Sequence, residues 1–143
     1  LRNEFFAPRT NIRVTRALEP NTSFEWEGMA LQVVGSPAHT EGSLSYLLEW
    51  EGKKYSFCGD LVASPGKVLT IHDMEWPYVG ARGISAQIGS LNMMRQLAPD
   101  VLLPSHGEPT QDVQGAIPTL IRDLAFIHDQ YNWYTPKVAK KSV

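Results

Sequence analysis

Cysteine is almost missing from this 143-residue chain, in which Cys58 is the one thiol. An internal disulfide is therefore excluded, which agrees with a reducing compartment. The net charge is only -2, so charge gives no reason to expect a nucleic acid or an anionic membrane as a partner. No apolar run is long enough to span a bilayer, and no signal-peptide pattern is present. We therefore expect a cytoplasmic protein with a packed core and no membrane contact.

Histidine is also scarce, and its positions are informative. The chain has four, at His39, His72, His106 and His128, and none lies upstream of His39. His128 falls at the edge of a helical apolar stripe and is interpreted as structural. The sequence contains no internal repeat, no low-complexity tract and no glycine-rich phosphate loop. These absences direct attention to the surroundings of the other histidines.

His39 stands in a short polar stretch, Ser36–Ser43, between two apolar runs that predict strands. Pro37 fixes one backbone angle before the histidine, and Gly42 frees one after it. His39 is therefore expected at a sharply defined corner between rigid elements, where catalytic and metal-binding side chains are common. Taken alone, a turn histidine without a function is an equally good interpretation.

Two later stretches repeat this arrangement. The strand-like run Lys54–Cys58 is followed by Gly59 and Asp60, and the short apolar run Val101–Pro104 is followed by Ser105 and His106. Two imidazoles and one carboxylate at the ends of three predicted strands form a ligand set suited to zinc or another first-row metal. The set is far more specific than any one of its members.

The stretches Pro37–Ser43, Phe57–Leu61 and Leu103–Pro109 resemble, in order and spacing, the second half of the metallo-beta-lactamase superfamily. The resemblance covers roughly residues 26–124. The middle stretch contains an aspartate, Asp60, and in this respect the sequence resembles the glyoxalase II, lactonase and ribonuclease Z branches of that family. Ala38 and Ser105 stand where glycines are most common in the family, which is a mild departure.

The resemblance implies a site with two metal ions, most simply Zn2+, although Fe or Mn are also possible with such ligands. It implies that His39 and His106 are metal ligands and that Asp60, the catalytic carboxylate, bridges the two metals. A metal-bound hydroxide would then hydrolyse a small-molecule ester, thioester, lactone or phosphodiester.

The family's first ligand motif, H-x-H-x-D-H, does not occur in this sequence. Residues 1–143 therefore resemble the C-terminal part of such a domain, with three of about seven ligands of a two-metal site. The implied fold is α/β, half of an αββα sandwich, with mostly antiparallel strands followed by helix, strand and helix. We expect the chain to need the missing N-terminal half or a second chain, to be inactive alone, or to form a homodimer.

Local patterns give the elements. Alternation predicts a half-exposed strand at Ile12–Leu18, and Glu51–Gly52 predicts a hairpin turn. Apolar spacing predicts a helix at Ile84–Leu97, ended by Ala98 and Pro99. A second helix would be capped by Thr110 or Asp112, with Pro118 either in its first turn or at a kink. Residues 137–143 form a basic tail that is expected to be mobile.

The stretch between Leu61 and Tyr78 is predicted as a loop near the metal corner, with a possible strand at 67–71. Its candidate pocket residues are His72, Asp73, Trp76 and Tyr78, although each is singly more typical of a polar loop with packed aromatic residues. Two further functions remain open. One is an iron-dependent redox or sulfur-oxidising enzyme of the same fold, and the other is a non-catalytic interaction domain.

Overall fold

The computed structural model describes residues 13–63, residue 67 and residues 83–134. Its elements, in chain order, are β1 (Ser23–Trp26), β2 (Met29–Gly35), β3 (Leu44–Trp50), β4 (Lys53–Gly59), α1 (Ile84–Leu97), β5 (Val101–Pro104) and α2 (Val113–Tyr134). The predicted order of strands followed by helix, strand and helix is confirmed. Neither of the two helices is long and apolar enough to cross a membrane, a finding that covers the described residues.

The five strands form one sheet in the order β1-β2-β3-β4-β5. The first three pairings are antiparallel, and β4 pairs with β5 in parallel. The β3–β4 turn is made by Glu51 and Gly52, with φ of 49° and 74°. Positive φ at both positions matches the right-handed twist of the flanking strands, so the predicted hairpin is confirmed. A parallel pair needs a crossover, and α1 lies within the connection from β4 to β5.

Both helices pack on one face of the sheet and on each other. The core between them is built from buried residues of four strands, the loops at their ends and both helices: Val34, Ala38, Leu47, Cys58, Leu61, Val62, Ile84, Leu91, Met94, Leu102, Val113, Ile117, Leu120 and Leu124. Three serines on the strands or at their ends, Ser36, Ser45 and Ser56, are fully buried as well. Small side chains at these places allow the helices to approach the sheet closely.

The opposite face of the sheet, which we call the second sheet face, is also apolar. Side chains directly opposite each other in paired strands share a face, and successive residues alternate. By the observed register this face carries one charged residue, Lys53, and otherwise Phe24, Trp26, Met29, Leu31, Val33, Gly35, Leu44, Tyr46, Leu48, Trp50, Tyr55, Phe57, Val101 and Leu103. Trp26, Trp50 and Phe57 are 59%, 52% and 41% exposed. Strands that are apolar on both sides are typical of a sheet buried on both sides.

The predicted strand at Ile12–Leu18 is wrong for its described part. Residues 13–18 lie outside every strand, and Val14 is 73% exposed. Alternating hydrophobicity stabilises a strand only when its apolar side is packed, and the apolar side chains here are not buried.

The helix α2 begins one residue after Asp112, whose Oδ1 accepts a hydrogen bond of 3.0 Å from the backbone N–H of Gly115. Asp112 is therefore the capping residue, and Thr110 is not. Pro118 lies inside the helix, beyond its first turn. The half-buried His128 lies on the same helix.

Several sequence predictions concern residues outside the described part of the chain. They are the strand expected at 67–71, of which residue 67 alone is described, the mobile tail at 137–143, and the candidate pocket residues His72, Asp73, Trp76 and Tyr78.

Candidate metal centre

Three predicted ligands follow strand ends that meet at one edge of the sheet. Gly35 at the end of β2 pairs with Leu44 at the start of β3, and Gly59 at the end of β4 pairs with Pro104 at the end of β5. Because β2 and β4 are both antiparallel to β3, their carboxyl ends point the same way. The loops that carry His39, Asp60 and His106 therefore all leave from this edge.

Asp60 is placed by an irregularity in β4. Phe57 pairs with Leu103 and Gly59 pairs with Pro104, which leaves Cys58 as an extra residue in a bulge. Bulges re-aim the side chains that follow them and are common beside active sites. Gly59 then adopts a φ of 55°, a left-handed conformation that favours glycine.

The turn that contains Asp60 is closed by its neighbours. The N–H of Leu61 donates to the carbonyl of Cys58 over 3.1 Å, so that Asp60 lies within a hydrogen-bonded turn. The turn fixes the point at which the carboxylate leaves the backbone.

His106 lies in an exposed loop after β5 that is tied at both ends. The N–H of Ser105 donates to the carbonyl of Gly59 over 3.0 Å. Leu102 and Thr110 exchange two backbone hydrogen bonds of 2.9 Å each, which close the loop from the other side. These bonds hold the His106 loop against the end of β4.

The structure brings His106 and Asp60 together. The Nε2 atom of His106 lies 3.8 Å from Oδ1 of Asp60, and the two side chains are 64% and 28% exposed. This distance is too long for a hydrogen bond. The Oδ1 atom is itself buried, and no described residue donates a hydrogen bond to it. A buried carboxylate oxygen without a donor is costly unless a cation or a proton satisfies it.

His39 is half-buried in a loop that is braced by its own residues. The N–H of Ser36 donates to the carbonyl of Ser43 over 2.9 Å, and the hydroxyls of Thr40 and Ser43 are also 2.9 Å apart. The buried hydroxyls of Ser36 and Ser45 form a further hydrogen bond of 2.8 Å at the base of the loop. The corner predicted from the sequence is thus a rigid one.

Among the described residues, no group of three or more His, Cys, Asp and Glu side chains is arranged to hold a metal ion. The structure thus unites Asp60 with His106 and does not gather His39 with them into one ligand cluster. A carboxylate oxygen and an imidazole nitrogen are nevertheless donors that zinc and other first-row metals accept. The orphaned Oδ1 of Asp60 fits such a cation.

Two residues near the centre could not be identified from motifs. Gln87 and Ser90 lie on α1 and donate side-chain hydrogen bonds to the backbone of the Asp60 turn and of the His39 loop, respectively. The available signal was weak: both are polar residues within the apolar stripe of an amphipathic helix.

Cys58 lies two residues before Asp60 and is 2% exposed. The pKa of its thiol is raised from about 9 to about 11, chiefly because burial penalises the thiolate, and the nearby Asp60 carboxylate adds to this while backbone hydrogen bonds act against it. The thiol therefore stays protonated at neutral pH and is a poor nucleophile.

A family model described as the metallo-beta-lactamase superfamily matches residues 7–106. No curated protein matches the chain. Among solved structures, the chain is similar to a metallo-beta-lactamase family protein from Thermus thermophilus, with 23% identity and a TM-score of 0.65 over 76% of this chain and 35% of that protein.

Two further structures show the same fold. ETHE1 from Myxococcus xanthus has 23% identity and a TM-score of 0.58, over 84% of this chain and 53% of ETHE1. A beta-lactamase from Chitinophaga pinensis has 17% identity and a TM-score of 0.56, over 85% of this chain and 51% of the enzyme. The chain thus spans between about a third and a half of the length of these proteins.

Proposed function

Because the chain belongs to the metallo-beta-lactamase superfamily, we propose that it supplies part of the two-metal site of a hydrolase. The observation that carries this proposal is the pairing of Asp60 and His106 at the sheet edge, with a buried Oδ1 that lacks a donor. Asp60 would bridge the two metals, His106 would bind one and His39 the other. His39 and His106 then serve different ions, so the proposal does not require them to share one.

The bound metals, most simply zinc, would act as Lewis acids and lower the pKa of water to about 7. The residues of this chain hold the donors in place. The closed turn orients the Asp60 carboxylate, and the tied loop presents the largely exposed His106 imidazole to the solvent side. Water activated by these metals would suit the hydrolysis of a small substrate with an ester, thioester, lactone or phosphodiester group.

The site also needs the rest of the domain. This chain offers three ligands of about seven, and its half of the centre is open to solvent at His106. The apolar second sheet face supports the same requirement. We propose that the remainder of a complete domain covers this face, because the matched structures are about two to three times as long as the aligned part.

The proposal is tested on the complete protein that contains this chain. Metal content is measured by mass spectrometry, and hydrolysis is assayed with a panel of esters, thioesters, lactones and phosphodiesters. We expect two zinc ions per protein and turnover of at least one class. Bound iron together with oxygen consumption would indicate a redox enzyme instead of a hydrolase. The absence of metal from every preparation would favour a non-catalytic interaction domain.

The 143-residue chain is assayed alone in parallel. We expect no turnover without a partner chain, because too few ligands are present to hold two metals. Sedimentation measures whether the chain then pairs with a second copy. Turnover by the monomeric chain would contradict the need for the rest of the domain.

A further inference from the structure

Helix α1 is joined by side-chain hydrogen bonds to the two loops that carry His39 and Asp60. The hydroxyl of Ser90 donates to the carbonyl of Pro37 over 2.7 Å, and the Nε2 of Gln87 donates to the carbonyl of Leu61 over 2.9 Å. Pro37 precedes His39 by two residues, and Leu61 directly follows Asp60. One helix thus contacts the backbone beside two of the three candidate ligands.

The two contacts come from neighbouring positions on one face of α1. Gln87 and Ser90 are three residues apart, so their side chains lie on the same face of the helix. Each is 4% exposed, and Leu91 and Met94 of the same helix are fully buried. The Gln87 hydrogen bond is buried and the Ser90 hydrogen bond is partly buried, so water competes little for them, and the packed core holds the helix in place.

Both carbonyls belong to segments that are also held from the other side. Leu61 donates its N–H to Cys58 while its carbonyl accepts from Gln87. In the His39 loop, the N–H of Ala38 donates to the carbonyl of Thr40 over 3.2 Å, next to the carbonyl that accepts from Ser90. The helix therefore attaches to rigid turns rather than to slack loops.

We propose that Gln87 and Ser90 are positioning residues that fix the separation of the His39 loop and the Asp60 turn. Their hydrogen bonds go to the backbone carbonyls of Leu61 and Pro37, so they act through the backbone of each loop. The inference rests on the proposed function to the extent that His39 and Asp60 bind metal. It adds a residue pair on α1 whose role is to preform the spacing of these ligands before any metal arrives.

A purely structural role is the competing explanation, since any buried carbonyl benefits from a donor. The two roles differ in what a variant changes. A structural role predicts a loss of stability with normal loops and normal metal binding in the molecules that remain folded. A positioning role predicts local loosening of the loops, and weaker metal binding than in a control variant of the same stability.

The test uses Gln87→Met and Ser90→Ala, singly and together, in the complete protein. Both substitutions remove the donor and nearly preserve the shape of the side chain. Ile117→Val on α2 is the matched control, because it removes one buried methylene and lowers stability without removing a donor to either loop.

Hydrogen exchange of the metal-free protein is the first measurement. Ser90→Ala should speed exchange at residues 38–40, and Gln87→Met at residues 60–62, whereas Ile117→Val should leave both segments unchanged. Equal exchange in these segments for all variants would overturn the positioning role, whatever happens to activity.

Titration with Co2+ is the second measurement, since its visible absorption reports ligand geometry. Each single variant should bind Co2+ about 10- to 100-fold more weakly than the wild type, with an altered spectrum. Normal affinity and an unchanged spectrum despite loosened loops would overturn the link to the metal. If the wild type itself binds no Co2+, the proposed function fails, while the exchange result still decides whether α1 positions the loops.

Discussion

The Nε2 atom of His106 lies 3.8 Å from Oδ1 of Asp60, although the two residues follow different strands. The parallel pairing of β4 with β5 places the ends of these strands side by side, and the bond from Ser105 to Gly59 ties the loops together. The distance is thus set by strand register as well as by the loops. Because the strands are fixed in this way, the two candidate metal-binding side chains are already arranged before a metal ion binds.

Removal of the Asp60 carboxylate should remove metal and activity together. In the complete protein, we expect Asp60→Ala to lower metal affinity by more than about tenfold, because even indirect partners of metal ligands contribute that much. Metal content and turnover are measured on the same preparation. Asp123→Ala is the control, since this exposed carboxylate on α2 pairs with Arg122 at the surface and should matter little. Full activity of Asp60→Ala would exclude the proposed role.

Cys58 should make stability fall at alkaline pH. Its pKa is raised from about 9 to about 11 in the folded chain, chiefly by burial. Between these values the unfolded chain loses the thiol proton while the folded chain keeps it, so the free energy of unfolding decreases as pH rises. The contribution of the thiol is complete below pH 9 and is lost as pH rises toward 11. Its slope is at most about 1.4 kcal/mol per pH unit.

Urea unfolding of the metal-free complete protein, below pH 9 and at about pH 11, measures this effect. Other groups titrate in the same range, so the comparison is with Cys58→Ala, which should be less stable at neutral pH and have a shallower pH dependence. Identical slopes in the two proteins would show that the thiol does not contribute.

Elements set by local chemistry could be predicted from the sequence. The apolar spacing, with Ala98 and Pro99 as the stop, predicts the helix at Ile84–Leu97 with the bounds that the structure shows. In the structure Ala98 ends it in a left-handed conformation. The Glu51–Gly52 pair between two strand-like runs likewise predicts the hairpin from local sequence. The strand predicted at 12–18 is wrong for residues 13–18, because alternation without a packed side does not make a strand.

Features that depend on distant partners could not be predicted. The bulge at Cys58 exists only in relation to the register of β5. Gln87 and Ser90 have ordinary helical neighbours, and their partners are backbone carbonyls far away in the chain. The candidate ligands could be predicted because they follow three strand-like runs and their motifs resemble a family, whereas the residues that hold their loops carry no motif.

The cap of α2 should be sensitive to small changes. Asp112→Ala removes the acceptor for the Gly115 N–H and should cost about 1 kcal/mol of unfolding free energy. Gly115→Ala should also destabilise, because its added Cβ would meet the Asp112 carboxyl group. Gly89→Ala on α1 is the matched control, since its Cβ would meet nothing. Alanine in the helix should raise the free energy of unfolding by about 0.5 to 1 kcal/mol. Equal effects of the two glycine substitutions in urea unfolding would contradict the cap assignment.

The second sheet face should be buried in the complete protein, and two exposed aromatic residues test this. Trp50 lies on that face and is 52% exposed in this chain, whereas Phe126 lies on α2 and is 66% exposed. If the rest of the domain covers the face, Trp50→Ala should cost about 3 kcal/mol in the complete protein, as for a buried aromatic residue. Phe126→Ala should stay within about 0.5 kcal/mol, as for a surface position. Urea unfolding of both variants measures the difference, and an equally small cost for both would mean that the face stays open and that the covering half must dock elsewhere.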